Sequence, residues 1–349
     1  MQKKNVTIYD IAREAGVSPA TVSRILTGST SVSQEKRERV TQLIERYNFR
    51  PNAMARALTE TRTKLIGMVI ADTINPYYTS VYAACGNDAY QRGYVTMLLN
   101  TYSTPEMEVS ALTKLREQRV DAIIICGGRI DLHQQDPAFT RLLESTLKST
   151  PIVVGTKSPD PRIHGVGLDH AGVVDVAMDY LLSLGHRDIG FIYTGTPYNG
   201  TWLRLSQFRR RMAQAGLPVR EEWLIHVDSY DSESGRQGIE QLMTLQNRPT
   251  ALLGMNDMVS VGMLQGLLAH GVRVPEDMSV MAFDDTFITA ITTPRLTAVG
   301  CDYHEYARML VDAAVGAMEG RAMPRDQLIR PVLSVKGSCA PPRKGPEAL

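Results

Sequence analysis

Apolar positions change their spacing once along this chain. Up to about residue 60 they recur every three or four positions: Ile8, Ile11, Ala12 and Ala15, then Val22, Ile25 and Leu26, then Val40, Leu43, Ile44 and Tyr47. That is the spacing of helices that bury one face. Thr7 stands as an N-cap with Asp10 three residues on, and Gly16 supplies the break. Ser18 caps a second helix whose first position is Pro19, where a missing N–H costs nothing. Ala20, Ser23 and Arg24 share that helix's other face, which is small and polar enough to approach a base-pair edge. A third helix begins at Ser33, with Glu35, Lys36, Arg37, Glu38 and Arg39 on its exposed side. Arg50-Pro51 ends it, and Asn52 caps the short, high-propensity run 53–58. Isolated helices below about 12 residues are marginal in water, so this one either orders when held by a partner or serves as a plain linker.

From residue 65 the period shortens. Apolar runs at 65–71, 95–100, 121–126, 151–155, 189–193, 251–255 and 279–283 alternate with helical stretches such as 173–184 and 258–270. Strands alternating with helices predict parallel, doubly wound sheets with right-handed crossovers. At 349 residues the chain exceeds a single core, and one sheet is expected to end near 160 with a second running to about 296. Ligands of such sheets sit beyond the carboxyl ends of the strands. Polar residues gather there: Asp72 and the loop Asn75-Pro76-Tyr77-Tyr78, then Asp169, Asn256-Asp257 and Asp284-Asp285. Singly, each aspartate also reads as a helix cap. As a set facing one cleft, they describe a site for a small hydroxylated ligand.

Charge separates the two parts. Residues 1–64 hold 12 Lys+Arg against 6 Asp+Glu, whereas the remainder holds 26 against 31. A basic head on a mildly acidic body is the footprint of a nucleic-acid module joined to something else. The four cysteines show no close pairing, which suits a reducing cytoplasm, and no twenty-residue apolar run or apolar leader predicts a membrane. The histidines lack metal-pair spacing, and neither a nucleophile elbow nor a phosphate or dinucleotide loop is present, so no metal, cofactor or catalytic role is expected.

The run Val6-Thr7-Ile8-Tyr9-Asp10-Ile11-Ala12-Arg13-Glu14-Ala15-Gly16-Val17-Ser18-Pro19-Ala20-Thr21-Val22-Ser23-Arg24-Ile25-Leu26 resembles the head of the LacI/GalR (lactose repressor/galactose repressor) family of bacterial transcriptional regulators. Arg50-Pro51-Asn52-Ala53-Met54-Ala55-Arg56-Ala57-Leu58 is similar to its hinge helix, and Val272–Val280 with Phe283-Asp284-Asp285 extend the likeness to about residues 5–340. The resemblance implies a helix-turn-helix domain (1–49), a hinge helix (50–61) and an effector-binding and dimerisation domain (62–340). The last comprises two periplasmic-binding-protein-like subdomains, about 62–163 with 297–323 and about 164–296 with 324–340. The Pro-rich tail 341–349 is expected to be disordered.

On that likeness Thr7, Tyr9, Ser18, Pro19, Ala20, Thr21, Ser23, Arg24, Asn52, Ala55 and Arg56 would meet double-stranded DNA, with Leu58 of two copies wedged between base steps. Asp72, Asn75, Tyr77, Trp202, Arg204, Tyr230, Asn256, Asp284 and Tyr303 would line an effector site. Gln207 and Ala282 depart from the family's glycines, and Trp202 has no clear counterpart: it is either core or a stacking ring. No leucine-heptad tail is present, so a homodimer on a pseudo-palindromic operator is expected, most simply a repressor controlled by a sugar or polyol. The alternatives are a purine- or sugar-phosphate-corepressed or activating regulator, a solute-binding module without a transcriptional role, and an enzyme on the same doubly wound fold.

Overall fold

The computed structural model describes residues 6–26, 31–49, 62–158, 160–195 and 197–343, and divides into two compact units, Met1–Thr63 and Lys64–Leu349. In the first unit α1 (Ile8–Ala15), α2 (Pro19–Leu26) and α3 (Gln34–Arg46) pack around Ile11, Ala12, Ala15, Val22, Ile25, Val40 and Leu43. Burying each of the larger members contributes about 2 kcal/mol. Thr7 and Asp10 form a reciprocal capping box: the Thr7 Oγ1 accepts from the Asp10 N–H at 3.3 Å, and the Thr7 N–H donates to Asp10 Oδ2 at 3.0 Å. Gly16 adopts φ +67° and donates to the last carbonyls of α1, closing the turn as a side chain there would resist doing. Tyr47 departs from the expected core position. It is exposed, and its hydroxyl donates to Glu14 Oε2 at 2.8 Å, because α3 ends one residue earlier. The expected short helix at 52–58 lies outside the described residues.

The second unit holds two six-stranded sheets. In the first, β1 (Leu65–Ile70), β2 (Val95–Asn100), β3 (Ala122–Cys126), β4 (Ile152–Val154), β5 (His164–Leu168) and β11 (Asp326–Ile329) are all parallel, in the order β11-β5-β4-β3-β1-β2. In the second, β6 (Ile189–Tyr193), β7 (Leu224–His226), β8 (Ala251–Gly254), β9 (Ser279–Asp284), β10 (Thr297–Gly300) and β12 (Val332–Ser334) follow the order β12-β10-β9-β8-β6-β7, with only β12 antiparallel. Helices α4 (Pro76–Gln91), α5 (Pro105–Glu117), α6 (Pro137–Leu147) and α12 (Tyr303–Glu319) serve the first sheet. Helices α7 (His170–Ser183), α8 (Asn199–Gln214), α9 (Ser232–Met243) and α10 (Asp257–Ala269) serve the second, and a short α11 (Ile288–Ile291) follows β9. The central strands are the most apolar, as burial on both faces demands: β3 reads Ala-Ile-Ile-Ile-Cys and all five of its residues are buried.

The expected boundaries between the halves need correction. β5 and β11 belong to the first sheet, although the resemblance places 164–168 and 326–329 in the second half. β10, assigned to the first half, sits between β9 and β12 with all four residues buried. What returns to the first half is α12, whose Tyr306 hydroxyl donates to the Gly155 carbonyl at 3.0 Å. The chain therefore crosses between halves three times: after β5, after β10 and between β11 and β12. The tail is likewise anchored further than expected. Arg343 pairs with Asp277 at 2.9 Å, and His186 fixes the preceding stretch by bonding Ala340 O at 2.9 Å. Residues 344–349 lie outside the described residues.

Candidate functional sites

The helical unit carries the first site. Residues 18–24 span the cap and most of α2: the Ser18 Oγ accepts from the Thr21 N–H at 3.2 Å, capping the helix, and lies 2.9 Å from the Thr21 hydroxyl. Tyr9, Ser18, Ala20 and Arg24 are exposed, whereas Pro19, Thr21 and Ser23 are half-buried. Val22 and Ile25 point inward, leaving a lean outer face on a rigid short helix. Thr7 is exposed but engaged: its hydroxyl donates to Asp10 Oδ2 at 2.7 Å. Asn52, Ala55, Arg56 and Leu58 lie outside the described residues.

The second site is a cavity of about 280 Å³ between the carboxyl ends of the two sheets. From the first half come Asp72, Asn75, Tyr77, Tyr78, Tyr102 and Asp131; from the second come His170, Tyr198, Thr201, Arg204, Tyr230, Asn256 and Asp284. Asp72 and Asn75 shape the loop after β1 by accepting from the N–H groups of Ile74 and Tyr77, at 2.9 and 3.0 Å. Asn75 thereby caps α4, with Pro76 at its first position. Asn256 works the same way in the second half. Its side-chain oxygen accepts from the Val259 N–H at 2.8 Å, and its amide donates to the Tyr230 carbonyl at 3.1 Å.

Arg204 is buried on α8. Its Nη1 donates to the Met255 carbonyl at 2.7 Å, its Nη2 meets Asp284 Oδ1 at 3.5 Å, and the guanidinium lies 4.9 Å from the Phe283 ring centre. Its Nε has no partner among the described residues. Gln207 does not displace it: that side chain turns to Asp175 instead. Asp284 and Asp285 adopt φ +86° and +54°, a strained conformation for aspartate. Asp257 holds this turn by accepting from the Asp285 and Thr286 N–H groups at 3.3 and 2.6 Å. Gly300 makes room for it, since a Cβ there would lie 2.1 Å from the Asp284 carbonyl.

Electrostatics follow from burial. Desolvation pushes the Asp131 carboxyl up to about 7, against a hydrogen bond from Thr156. Desolvation, with Arg204 nearby, lowers His170 to about 3, so its ring is neutral beside the guanidinium. Burial raises Asp284 despite Arg204, and burial with Asp284 raises Asp257.

Seven of the nine expected cleft residues line the cavity. Two do not. Tyr303 lies behind it: its hydroxyl donates to the Asp284 carbonyl at 2.9 Å and its ring meets Tyr77. Trp202 is neither core nor cavity lining; 48% exposed, it stacks on His133 at 4.7 Å between ring centres. Asp131, His170, Tyr198 and Thr201 were not anticipated, although Asp131 stands just past the end of β3, where the strand-end rule applies. No group of His, Cys, Asp and Glu among the described residues is arranged to hold a metal ion, and no described helix is long and apolar enough to cross a membrane.

A helix-turn-helix unit and a two-sheet core with a ligand-sized cleft define a class: DNA-binding regulators with a binding-protein-like body. The comparisons agree. Residues 7–52 match the model for bacterial regulatory proteins of the lacI family, and residues 178–339 match a periplasmic binding protein-like domain. Catabolite control protein A of Priestia megaterium is 32% identical over 302 residues, covering 84% of this chain and 87% of the relative. The HTH-type transcriptional regulator DegA of Bacillus subtilis is 30% identical over 337 residues, 96% of this chain and 98% of the relative. The crystal structure of the lac repressor dimer bound to operator and the anti-inducer ONPF superposes with TM-score 0.84 at 26% identity, covering 97% of this chain and all of that one. The chain belongs to the LacI family. It is a DNA-binding transcriptional regulator and not an enzyme.

Proposed function

We propose that this regulator is a repressor that binds a pseudo-palindromic operator as a homodimer, and that a neutral sugar or polyol in the cleft controls its affinity. One observation carries the choice of ligand. The cavity sets a single guanidinium, already engaged by Met255 and Asp284, against the carboxyls of Asp72, Asp131 and Asp284 and five tyrosines. Carboxylates and amides bond hydroxyl groups, and aromatic rings cover the apolar face of a sugar. A phosphate or dicarboxylate would require more cations. The helix-turn-helix reading gains support from the lac repressor structure, in which that protein is a dimer on its operator.

The test begins with selection of binding sites from random duplex DNA at about 0.15 M salt. The expected product is a palindrome of roughly 14–20 base pairs with a flexible pyrimidine–purine step at its centre. Bound to that site, the protein is then challenged with monosaccharides and polyols, with purine bases and with sugar phosphates. A response to the first group alone supports the reading. A response confined to purines or phosphates replaces it, and failure to enrich any site removes the groove-reading role of residues 18–24.

A further inference from the structure

We infer that the segments 132–133 and 197–202 form a latch that shuts the cleft over its occupant, and that Trp202 and His133 thereby restrict the ligand to a single sugar ring. The inference rests on the proposed reading of the cleft as a sugar or polyol site.

The two segments belong to opposite halves and meet in four ways. Leu132 and Tyr198 form an antiparallel β-bridge. The His133 N–H donates to the Pro197 carbonyl at 2.8 Å. The His133 ring stacks on Trp202 with planes 24° apart, and its Nδ1 lies 3.4 Å from Asn199 Oδ1. Each segment adjoins the cavity: Asp131 immediately precedes Leu132, while Tyr198, Gly200 and Thr201 of the second segment line the cavity themselves. Separating the halves would therefore break backbone and ring contacts at the point where the walls converge.

Trp202 alone would be a poor choice for a surface position, since nearly half of it remains exposed. Its stacking partner across the cleft gives it a task. The cavity, about 280 Å³, falls at or just below the low end of ligand sites, which run from roughly 300 to 1,000 Å³. A second sugar ring extending toward Leu132, His133, Pro197 and Trp202 would run into their contacts across the cleft, and so would keep the latch open.

The test uses full-length protein and matched probes: glucose, galactose and mannose against cellobiose, lactose and maltose. Calorimetry is expected to find binding of at least one monosaccharide and at least tenfold weaker binding of the disaccharides. In the double variant His133→Ala/Trp202→Ala that preference should fall at least tenfold, and stopped-flow dissociation of the monosaccharide should quicken at least tenfold. Trp202→Phe, which keeps a stacking ring, should retain both. Iodide quenching supplies a readout on the unaltered chain: Trp223 is buried, so protection of the exposed indole on adding monosaccharide reports closure at Trp202. Disaccharide binding by the parent as tight as any monosaccharide overturns the latch, as does an unchanged preference and off-rate in a folded double variant. Binding of no sugar of either length overturns the latch together with the proposed ligand class.

Discussion

Single residues in the cleft are set by what surrounds them, and Asp131 shows this with a measurable consequence. Its folded-state pKa of about 7 lies above the ordinary carboxyl value of 3.8. The folded protein therefore holds a proton that the unfolded chain gives up, and stability falls as pH rises through the window from about 4 to 7. Asp131→Asn removes that dependence. Thermal melting of the unliganded variant should decline less between pH 5 and 8 than that of the parent, with the variant the more stable at pH 8. An unchanged profile would show that water in the cavity already solvates the carboxylate. Arg204 makes a second case. With Nη1 on Met255 O and the ring of Phe283 beside it, Arg204→Ala leaves a buried carbonyl and Asp284 uncompensated. It should cost about 1–3 kcal/mol of stability, measured by denaturant melting, as well as ligand binding. At this scale the sequence was partly legible. Asp72, Asn75 and Asn256 announce themselves as polar residues after apolar runs. His170 and Thr201 do not, because they enter the cavity from helix starts whose sequences resemble any cap region. The place of Trp202 is not legible in the sequence because its partner, His133, is distant along the chain.

Elements repeat the same lesson. The first two helices are readable from caps and spacing, since local hydrogen bonds define their starts, and the third from spacing alone, since Ser33 makes no side-chain cap bond. Thr7→Ala, which breaks the capping box, should lower the stability of the helical unit by about 1 kcal/mol, visible as an earlier melt of the full-length chain's first transition. The hinge-like run 50–58 predicts a functional effect instead: Leu58→Gly should lose most specific operator affinity while leaving ligand binding intact. A loss within threefold, about 0.65 kcal/mol, would discard the wedge. Strands were harder. β5 reads His-Gly-Val-Gly-Leu and β11 Asp-Gln-Leu-Ile, neither with enough apolar content to declare itself. Both are edgeward in the first sheet, and each is recruited by a neighbouring strand rather than by its own propensity. That is why the halves' boundaries were misplaced while the doubly wound fold class was not.

The whole molecule divides its charge as it divides its labour. With 12 basic residues against 6 acidic in residues 1–64, raising salt from 0.05 to 0.2 M should weaken DNA binding at least tenfold. Binding of a neutral ligand by the acidic body should hardly change, and a matching salt dependence of both would argue for an anionic ligand. The three crossings of the core have a further consequence, in the time domain of synthesis. Five of the first sheet's strands are complete by Leu168, yet α12, which shares the covering of one face with α4, begins only at Tyr303, and the edge strand ends at Ile329. At about 5–20 residues per second, a ribosome needs on the order of ten seconds to make the intervening stretch. For that interval the half made first waits, with an apolar face only partly covered, for the half made second, and the nascent chain is then open to chaperone binding.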